Sequence, residues 1–356
     1  MIGIGVIGYG YWGPNLVRNF AETPDASVVA VSDLNPKRLE SIRGRYPSVE
    51  TTTDCSELLS DSRIDAIAIA TPVSTHFELA LRALRAGKHV LVEKPLATTS
   101  EQSLRLIEEA NRRNLVLMVD HTFVYTPAVR KIKELVVGNR LGDIYYYDSA
   151  RINLGLFQHD VNVLWDLAVH DLSIMDYVLP SQPRAVCATG INHVSGEPAN
   201  IAYLTLFFDS SLIAHIHVNW LSPVKMRRTL IGGSRNMIVY DDLEPSEKIK
   251  VYDRGIAINN NTENLYQMLI GYRTGDMWSP QLDTTEALRA EAQHFVRCIE
   301  GTDRPLTNGE AGLRVVEILE AATQSMARRG RLVELNNENF ERLPDDSFRG
   351  LEVAVP

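Results

Sequence analysis

An aspartate and a histidine stand four residues apart in the stretch Trp165–Asp171. On a helix this spacing places Asp166 and His170 one turn apart on one face, where the carboxylate can influence the imidazole. Imidazole is poised near neutral pH and can take the hydroxyl proton of an alcohol while hydride leaves the carbon. The pair therefore indicates acid/base chemistry, and a surface histidine beside an incidental acid is the alternative. A zinc pair is less favoured, because no further ligands stand at a recognisable spacing.

Lys94 is the second residue whose position indicates chemistry. It lies in Glu93-Lys94-Pro95, directly after the apolar run that begins at His89. The end of a buried parallel strand would point the lysine into a ligand crevice, with the proline fixing the backbone beside it. A solvated surface lysine is the alternative. His89 lies at the opposite end of the strand and is interpreted as structural.

A glycine-rich turn follows the first apolar strand, in Gly8-Tyr9-Gly10-Tyr11-Trp12-Gly13. This G-x-G-x-x-G pattern allows a tight turn, a close approach of backbone N–H groups to a pyrophosphate, and packing of the following helix on the strand. The N-terminus of that helix would add partial positive charge. Ordinary turn chemistry is the alternative.

A second apolar strand, Val28–Ser32, ends in Asp33, twenty residues after Gly13. An acid in this place accepts hydrogen bonds from the ribose hydroxyls of a dinucleotide. It would also repel a 2′-phosphate, so the sequence predicts NAD rather than NADP. Lys37 and Arg38 lie close enough to keep the NADP alternative open.

Strands and helices alternate through the first 122 residues, which predicts a doubly wound parallel sheet. A buried strand at residues 66–70 ends before Thr71 and Pro72, and later strands are predicted at residues 89–92 and 116–119. Ligands bind at the carboxyl ends of such strands. Several candidate residues would lie at that edge: Gly8, Asp33, Thr71, Glu93 and Lys94.

The pattern changes after residue 122. A helix near residues 163–179 precedes a series of strands with little helix between them, and two late helices are predicted near 285–300 and 310–329. Consecutive strands indicate a mainly antiparallel sheet, so the second domain is predicted to be α+β. The predicted division is a dinucleotide-binding domain over residues 1–122, a substrate-binding and oligomerisation domain over 123–335, and a poorly packed tail over 336–356.

Composition narrows the class of protein. The 356 residues carry a net charge of −9 with 45% hydrophobic residues, which argues against a dominant nucleic-acid-binding surface. The three cysteines are far apart, so neither a disulfide framework nor a metal site is expected. No leader segment and no run as long as a membrane span is visible, so a soluble, cytoplasmic protein is predicted.

The ordered set of motifs resembles the glucose-fructose oxidoreductase and inositol dehydrogenase family (Gfo/Idh/MocA). Four motifs occur in the order and near the spacing of that family, and the resemblance extends to about Leu335. They are the glycine turn, Thr71-Pro72 with His76, Glu93-Lys94-Pro95 and Asp166-x-x-x-His170. The resemblance implies a Rossmann domain followed by an open-faced mixed sheet, through which the chain would form a homodimer or homotetramer. It also implies a nicotinamide cofactor and a sugar-like substrate between the domains.

The resemblance also assigns roles to residues. Lys94 would bind the substrate hydroxyl and the cofactor ribose, Asp166 would position substrate and base, and His170 would be the acid/base. The nicotinamide and its ribose would be lined by Thr71, Pro72, His76 and Glu93. Together with the glycine turn, the expected cofactor-binding set is Gly8, Gly10, Tyr11, Trp12, Gly13, Asp33, Thr71, Pro72, His76, Glu93 and Lys94.

Several positions depart from the family pattern and bear on the substrate. The glycine run that many relatives carry before the aspartate is replaced by residues 159–162, and the inner glycine by Ala168. The loop 158–162, which includes Asn162, looks like that of relatives acting on nucleotide sugars. Lys225 and Arg227 could project together toward a diphosphate, or form a solvated basic strand, and Arg151 is a weaker candidate for the same anion.

The favoured function is therefore oxidation of a ring hydroxyl, with C3 as the favoured position, of a nucleotide-linked hexose or uronic acid. The substrate-binding residues expected for it are Lys94, Arg151, Asn162, Asp166, His170 and Lys225. The alternatives are a free sugar or inositol dehydrogenase, a glycoside hydrolase that works through nicotinamide redox chemistry, and a non-catalytic regulator that binds NAD and a sugar. The joint presence of Lys94, Asp166 and His170 argues against the regulator.

Overall fold

The computed structural model describes residues 1–155, 161–195, 198–258 and 270–335. The predicted tail at 336–356 and loop residues 158–160 lie outside these ranges. Within them, no helix has the length and apolar character needed to cross a membrane.

The first sheet has six parallel strands in the order β3-β2-β1-β4-β5-β6. This confirms the predicted doubly wound sheet, because the strand order reverses beside β1, where such sheets bind ligands. Its strands are β1 Ile2–Ile7, β2 Ala26–Ser32, β3 Glu50–Thr52, β4 Ala66–Ile69, β5 His89–Glu93 and β6 Leu117–Asp120. Its helices are α1 Gly13–Ala21, α2 Pro36–Arg45, α3 Cys55–Ser60, α4 His76–Arg85 and α5 Ser100–Arg113.

The second sheet has nine strands in the order β16-β13-β12-β11-β7-β10-β9-β8-β17. Only β10 and β7 pair in parallel, so the predicted mainly antiparallel sheet is confirmed. Its strands are β7 Ile144–Leu154, β8 Ala185–Ile191, β9 Ile201–Phe207, β10 Ile213–Asn219, β11 Leu221–Gly233, β12 Met237–Asp241, β13 Ile249–Tyr252, β16 Met277–Trp278 and β17 Val333–Glu334. A separate hairpin pairs β14 Gly255–Ile258 with β15 Ile270–Arg273.

Strand β11 begins at Leu221, and its regular pairing with β7 continues from Met226. Its pairing with β7 is irregular between these two residues, and Pro223 lies inside the irregular segment. Because proline has no N–H to donate to a ladder, an irregular segment is where a strand accommodates it.

One face of the second sheet is covered by helices and the other is open. The helices α6 Pro127–Val137, α7 Val169–Val178 and α9 Gly309–Ala327 share a continuous apolar core with the inner face. The outer face carries Tyr203, Phe207 and Ile213, which are 43%, 39% and 43% exposed. The alternation of buried and exposed residues along β9 and β10 produces this division.

The two late helices return to the first sheet. Helix α8, Ala287–Ile299, packs on α1, where the rings of Phe20 and Phe295 meet edge to face at 6.2 Å. Helix α9 contacts α5 and β6 as well as α7 and β8. A Cβ on Gly312 would lie 2.7 Å from Val119, so the glycine permits the close approach of α9 to β6. Helix α9 therefore connects the two sheets.

We predict that Phe295→Ala lowers the free energy of unfolding by about 3–5 kcal/mol, because it empties a fully buried site between α8 and α1. Urea unfolding followed by circular dichroism measures this. Val137→Ala, at a position that is 60% exposed, is the control and should change little. An equally small change for Phe295→Ala would show that α8 is not part of the cooperative core.

Candidate functional site

The glycine turn leaves room for a pyrophosphate. Gly8 has φ +96°, and a Cβ there would lie 2.5 Å from the Ala70 carbonyl oxygen. A Cβ on Gly13 would lie 2.2 Å from the Gly8 carbonyl oxygen, so both positions require glycine. A Cβ on Gly10 would meet only the Arg38 side chain, at 3.6 Å. The backbone is therefore open at the middle glycine, as phosphate binding requires.

Asp33 lies at the end of β2 and is held beside this turn. Its Oδ2 accepts from the Tyr9 backbone N–H at 2.7 Å and its Oδ1 from the Asn35 backbone N–H at 2.8 Å. Arg38 Nη1 lies 3.3 Å from Oδ2. The Asp33 carboxylate is thus fixed where a ribose would bind, and it also forms an ion pair with the Arg38 guanidinium.

The two residues between Gly10 and Gly13 have different environments. Tyr11 is 89% exposed, whereas Trp12 is half-buried. Trp12 Nε1 donates to Asp120 Oδ2, at the end of β6, at 2.6 Å. The turn is therefore tied across the edge of the sheet by one indole.

His76 joins two loops rather than presenting a free ring. Its Nδ1 lies 2.8 Å from the Pro95 carbonyl oxygen and its Nε2 lies 2.9 Å from that of Thr71. Burial lowers the pKa of this imidazole, so the neutral ring donates to one of the two carbonyls. Thr71 itself pairs with Thr75 through their hydroxyl oxygens at 2.7 Å, beside Pro72. His76 therefore orients the loops that carry Thr71 and Lys94.

Lys94 and Asp166 connect the two sheets. Lys94 Nζ lies 3.1 Å from the Asp166 carbonyl oxygen and 3.4 Å from its Oδ1. Asp166 Oδ2 accepts from Trp220 Nε1 at 3.0 Å, and Trp220 is fully buried. Spacing in the sequence alone does not predict that Lys94 and Trp220 lie close to Asp166. The structure brings Lys94 and Asp166 together, as the resemblance implied.

The segment that carries the acid/base pair is not a regular α-helix. Leu164–Ala168 form a π-helical turn and Val169–Val178 continue as an α-helix. A π-helical turn is wider than an α-helical turn, so residues four apart in it are not stacked one α-helical turn apart on one face. The expectation that Asp166 acts on His170 across one α-helical turn therefore needs correction. The contacts of the Asp166 carboxylate are with Lys94 and Trp220. π-Helical turns of this kind are frequent at functional sites.

His170 lies in a positively charged environment. Its ring contacts Phe123 edge to face at 5.0 Å, and the guanidinium groups of Arg151 and Arg227 lie 4.4 Å and 5.6 Å from the centre of the same Phe123 ring. Burial, and then the charges of Lys94 and the two arginines, hold the pKa of His170 well below its ordinary value. The imidazole is therefore neutral near pH 7 and free to accept a proton.

The structure gives Arg151 and Asn162 structural partners. Arg151 is 3% exposed, and its Nε donates to Asp171 Oδ2 at 2.6 Å, whereas its Nη1 has no hydrogen-bond partner among the described residues. Asn162 Oδ1 accepts from the Leu164 backbone N–H at 3.0 Å and caps the helical segment. The substrate-binding role expected of these two residues stays a prediction.

Of the two basic residues predicted to act together on β11, Arg227 is the one at the site. Lys225 is exposed and lies in the irregular part of the pairing with β7. Arg227 pairs across the strands with Arg151 and is held by Asp242, whose Oδ2 lies 3.2 Å from Nη1. Asp242 also accepts from the Tyr240 hydroxyl at 3.1 Å.

Sequence reasoning missed His121, which directly follows β6. Its side chain is buried, and neither ring nitrogen has a hydrogen-bond partner among the residues that the structure describes. Burial lowers the pKa of His121 to about 4, and the charges of Lys94 and Arg314 act in the same direction. In the pairing of β5 with β6, Glu93 lies opposite Asp120, so His121 follows at the level of Lys94. The sequence signal that could have identified His121 is its position directly after the last parallel strand of the first sheet.

The candidate site carries no metal-ligating cluster among the residues that the structure describes. Glu93, the remaining expected residue, is half-buried at the end of β5, directly before Lys94. Burial of its carboxyl group and the neighbouring Asp120 raise the pKa of that group well above the ordinary value.

Comparison with known families gives two matches that together span most of the chain. The Gfo/Idh/MocA model, described as an oxidoreductase family with an NAD-binding Rossmann fold, matches residues 2–121. The model of the C-terminal alpha/beta domain of the same oxidoreductase family matches residues 133–335. The glycine turn described above is consistent with the first match.

Individual relatives resemble the chain over nearly its whole length. The myo-inositol 2-dehydrogenase of Thermotoga maritima is 25% identical, over 91% of this chain and 96% of its own length. The UDP-N-acetylglucosamine 3-dehydrogenase of Acidithiobacillus ferrooxidans is 27% identical, over 88% of this chain and 93% of its own. A solved structure of that enzyme, GnnA, matches with a TM-score of 0.76 at 26% identity, over 92% of this chain and 98% of that one.

A crystal structure of GenD2 from gentamicin A biosynthesis, in complex with NAD, also matches. The TM-score is 0.78 over 94% of this chain and 96% of that chain. At 22% identity this likeness shows the fold alone. The first domain of the present chain is thus a Rossmann domain of the NAD-binding type.

We predict that the protein binds NAD more tightly than NADP, by about tenfold or more, because Asp33 would lie beside the 2′-phosphate. Asp33→Ser should narrow this difference, since it also frees Arg38 to contact the phosphate. Calorimetric titration with both cofactors measures the ratio, and the surface variant Asp209→Ser is the control. Tighter binding of NADP by the wild type would contradict the assignment of Asp33.

Proposed function

The chain belongs to the Gfo/Idh/MocA family of oxidoreductases, and on that premise we propose that it oxidises a ring hydroxyl of a sugar, with NAD as the acceptor of the hydride that leaves the ring carbon. The observation that carries the proposal is the convergence of Lys94, Asp166 and His170 at the carboxyl edge of the first sheet. A protein that only bound a sugar would have no need of a lysine, a carboxylate and a neutral imidazole at one place.

His170 takes the hydroxyl proton. Its Nδ1 is closed off from solvent and has no hydrogen-bond partner in the described part of the chain, so Nε2 is the nitrogen that meets the substrate. The neutral form prevails near pH 7 because burial and the surrounding cations disfavour the imidazolium. The same cations favour onward release of the proton after each turnover. NAD, when bound, supplies the hydride acceptor.

Lys94 and Asp166 orient the substrate. The ammonium group of Lys94 donates to the hydroxyl oxygen and stabilises the negative charge that develops there as the proton leaves. Asp166 fixes that ammonium group and is itself fixed by Trp220 from the opposite side. Each charged group therefore has a partner that sets its position before the substrate arrives.

The substrate class that we favour is a nucleotide-linked hexose or uronic acid, oxidised at C3. The similarity to a UDP-N-acetylglucosamine 3-dehydrogenase supports it. So does Arg227, whose guanidinium lies over the Phe123 ring that contacts His170 and offers a cation to an anionic substituent. We retain Lys225 as a second, more exposed cation for the same anionic substituent. Free inositol remains the alternative, favoured by the similarity to inositol dehydrogenases.

We also propose that the open face of the second sheet joins copies of the chain, in the cytoplasm. Three aromatic or aliphatic residues on that face are about two-fifths exposed, and Tyr203 stacks on His217 at 4.4 Å. Exposed apolar surface of this kind is typical of a protein interface. The three cysteines are free, which suits a reducing compartment.

The activity is tested by incubating the protein with NAD and a panel of UDP-linked sugars, UDP-linked uronic acids, free hexoses and inositols. NADH absorbance and mass spectrometry of the sugar are both recorded, because a retained and recycled cofactor would give no absorbance change. We expect an oxidised nucleotide sugar. Oxidation of a free polyol alone would overturn the substrate class, and no oxidation of any hydroxyl would favour a regulator.

On the substrate that the panel identifies, His170→Ala and Lys94→Ala should each lower turnover by about 10²- to 10⁴-fold while NAD still binds. The loss follows from removing the proton acceptor or the group that stabilises the developing charge. The exposed His193→Ala is the control. Turnover near the wild-type rate in either variant would contradict the assigned roles.

Replacing Tyr203 and Phe207 together by aspartate should convert the oligomer to monomer, because charges would be buried in an apolar interface. Light scattering coupled to size-exclusion chromatography measures the mass. Val137→Asp, on an exposed position of α6, should leave the mass unchanged. A double variant that keeps the wild-type mass would place the interface elsewhere.

A further inference from the structure

The carboxyl group of Asp120 joins the glycine turn to the last strand of the first sheet. Trp12 Nε1 donates to Asp120 Oδ2 at 2.6 Å, and the Thr122 hydroxyl donates to Oδ1 at 2.5 Å. Asp120 is 1% exposed, so its oxygens depend on donors from the protein. Thr122 is a neighbour in the chain, whereas Trp12 comes from the other end of the domain.

The position of Asp120 is set independently of the glycine turn. It is the last residue of β6, which pairs with β5 on one side. On the other side the Val119 backbone N–H donates to the Thr307 carbonyl oxygen at 2.8 Å. Helix α9 packs on the same strand, because Gly312 permits its close approach to Val119. Asp120 is therefore a fixed acceptor toward which the Trp12 indole is oriented.

The contact between Trp12 and Asp120 spans several strands of the sheet. Trp12 follows β1 and Asp120 ends β6, and the order β1-β4-β5-β6 separates these two strands by about 14 Å. The indole therefore reaches over the carboxyl ends of β4 and β5. Trp12 is half-buried: part of it packs against the apolar cluster that includes Met118 and Val124, and the rest stays open at this edge.

The same part of the edge is where the nicotinamide of NAD would lie. In a doubly wound sheet the two halves of a dinucleotide bind on opposite sides of the strand that carries the glycine turn. Asp33, directly after β2, marks the side of the adenosine ribose. With the pyrophosphate at the glycine turn, the nicotinamide half extends toward β4 and β5. The indole of Trp12 offers a flat aromatic surface there.

We propose that Asp120 is a positioning residue for the cofactor: its hydrogen bond with Nε1 fixes the Trp12 indole across the ends of β4 and β5, where the indole supports the nicotinamide ring. Trp12 also directly precedes α1, and its carbonyl oxygen accepts from the Asn15 backbone N–H at 2.9 Å. One residue thus joins the pyrophosphate-binding turn to the support of the nicotinamide. The inference rests on NAD binding by the first domain and not on the identity of the sugar.

The test is a calorimetric titration of the full-length protein with NAD and, separately, with ADP-ribose, which lacks only the nicotinamide ring. Trp12→Phe keeps an aromatic ring and removes the donor. We expect it to raise the dissociation constant of NAD by about two- to tenfold and to change that of ADP-ribose by less than about twofold. Trp278→Phe, at a 42% exposed position of β16, is the matched control and should bind both ligands like the wild type.

Two variants of Asp120 separate the hydrogen bond from the charge. Asp120→Asn keeps an oxygen that accepts from Trp12, and the Thr122 hydroxyl can accept from its amide group, so the NAD affinity should match the wild type. Asp120→Ala removes the acceptor and should weaken NAD binding by about as much as Trp12→Phe does. The double variant with both Trp12→Phe and Asp120→Ala should be no weaker than either single variant, because the two changes remove one contact.

An equal loss of NAD and ADP-ribose binding in Trp12→Phe would overturn the proposal, because a distorted glycine turn would weaken both ligands alike. Unchanged NAD binding in Trp12→Phe would also overturn it, and this variant is decisive if Asp120→Ala does not fold. Loss of NAD binding in Asp120→Asn would assign the effect to the charge instead of the hydrogen bond and contradict the proposal. Since no sugar is present, a failure to oxidise any sugar would leave these results unaffected.

Discussion

The contact between Lys94 Nζ and Asp166 is the constraint on which the rest of the site depends. Lys94 is placed by the end of β5 in the first sheet, and Asp166 by a π-helical turn packed on the second. Neither sheet alone forms the site. Helix α9 contacts β6 of the first sheet, β8 of the second sheet and the π-helical turn that carries Asp166, and so helps to fix the distance between these two residues.

The electrostatics of the site follow from where its charges are buried. Lys94, Arg151 and Arg227 act on His170, and each of these cations is paired with a carboxylate: Lys94 with Asp166, Arg151 with Asp171 and Arg227 with Asp242. The imidazole is therefore a neutral base that lies among three ion pairs.

The first sheet and the place of Lys94 directly after β5 could be predicted from the sequence, because buried parallel strands read as continuous apolar runs and their ends are marked by turn residues. The catalytic roles of Lys94, Asp166 and His170 stay predictions. The π-helical turn could not, since nothing in local spacing distinguishes it from an α-helix. The burial of Arg151 against Asp171, the cap formed by Asn162 and the free nitrogens of His121 depend on contacts between distant segments.

The central claim, that hydride passes from C3 of a sugar ring to the cofactor at the Lys94 and His170 site, is tested most directly by isotope transfer. The protein is given NAD and UDP-N-acetylglucosamine carrying deuterium at C3, and the cofactor released by denaturation is analysed by mass spectrometry. The account predicts that deuterium appears on the nicotinamide ring as the sugar is oxidised. Oxidation of the sugar with an unlabelled cofactor, or with the deuterium retained at C3, would contradict it.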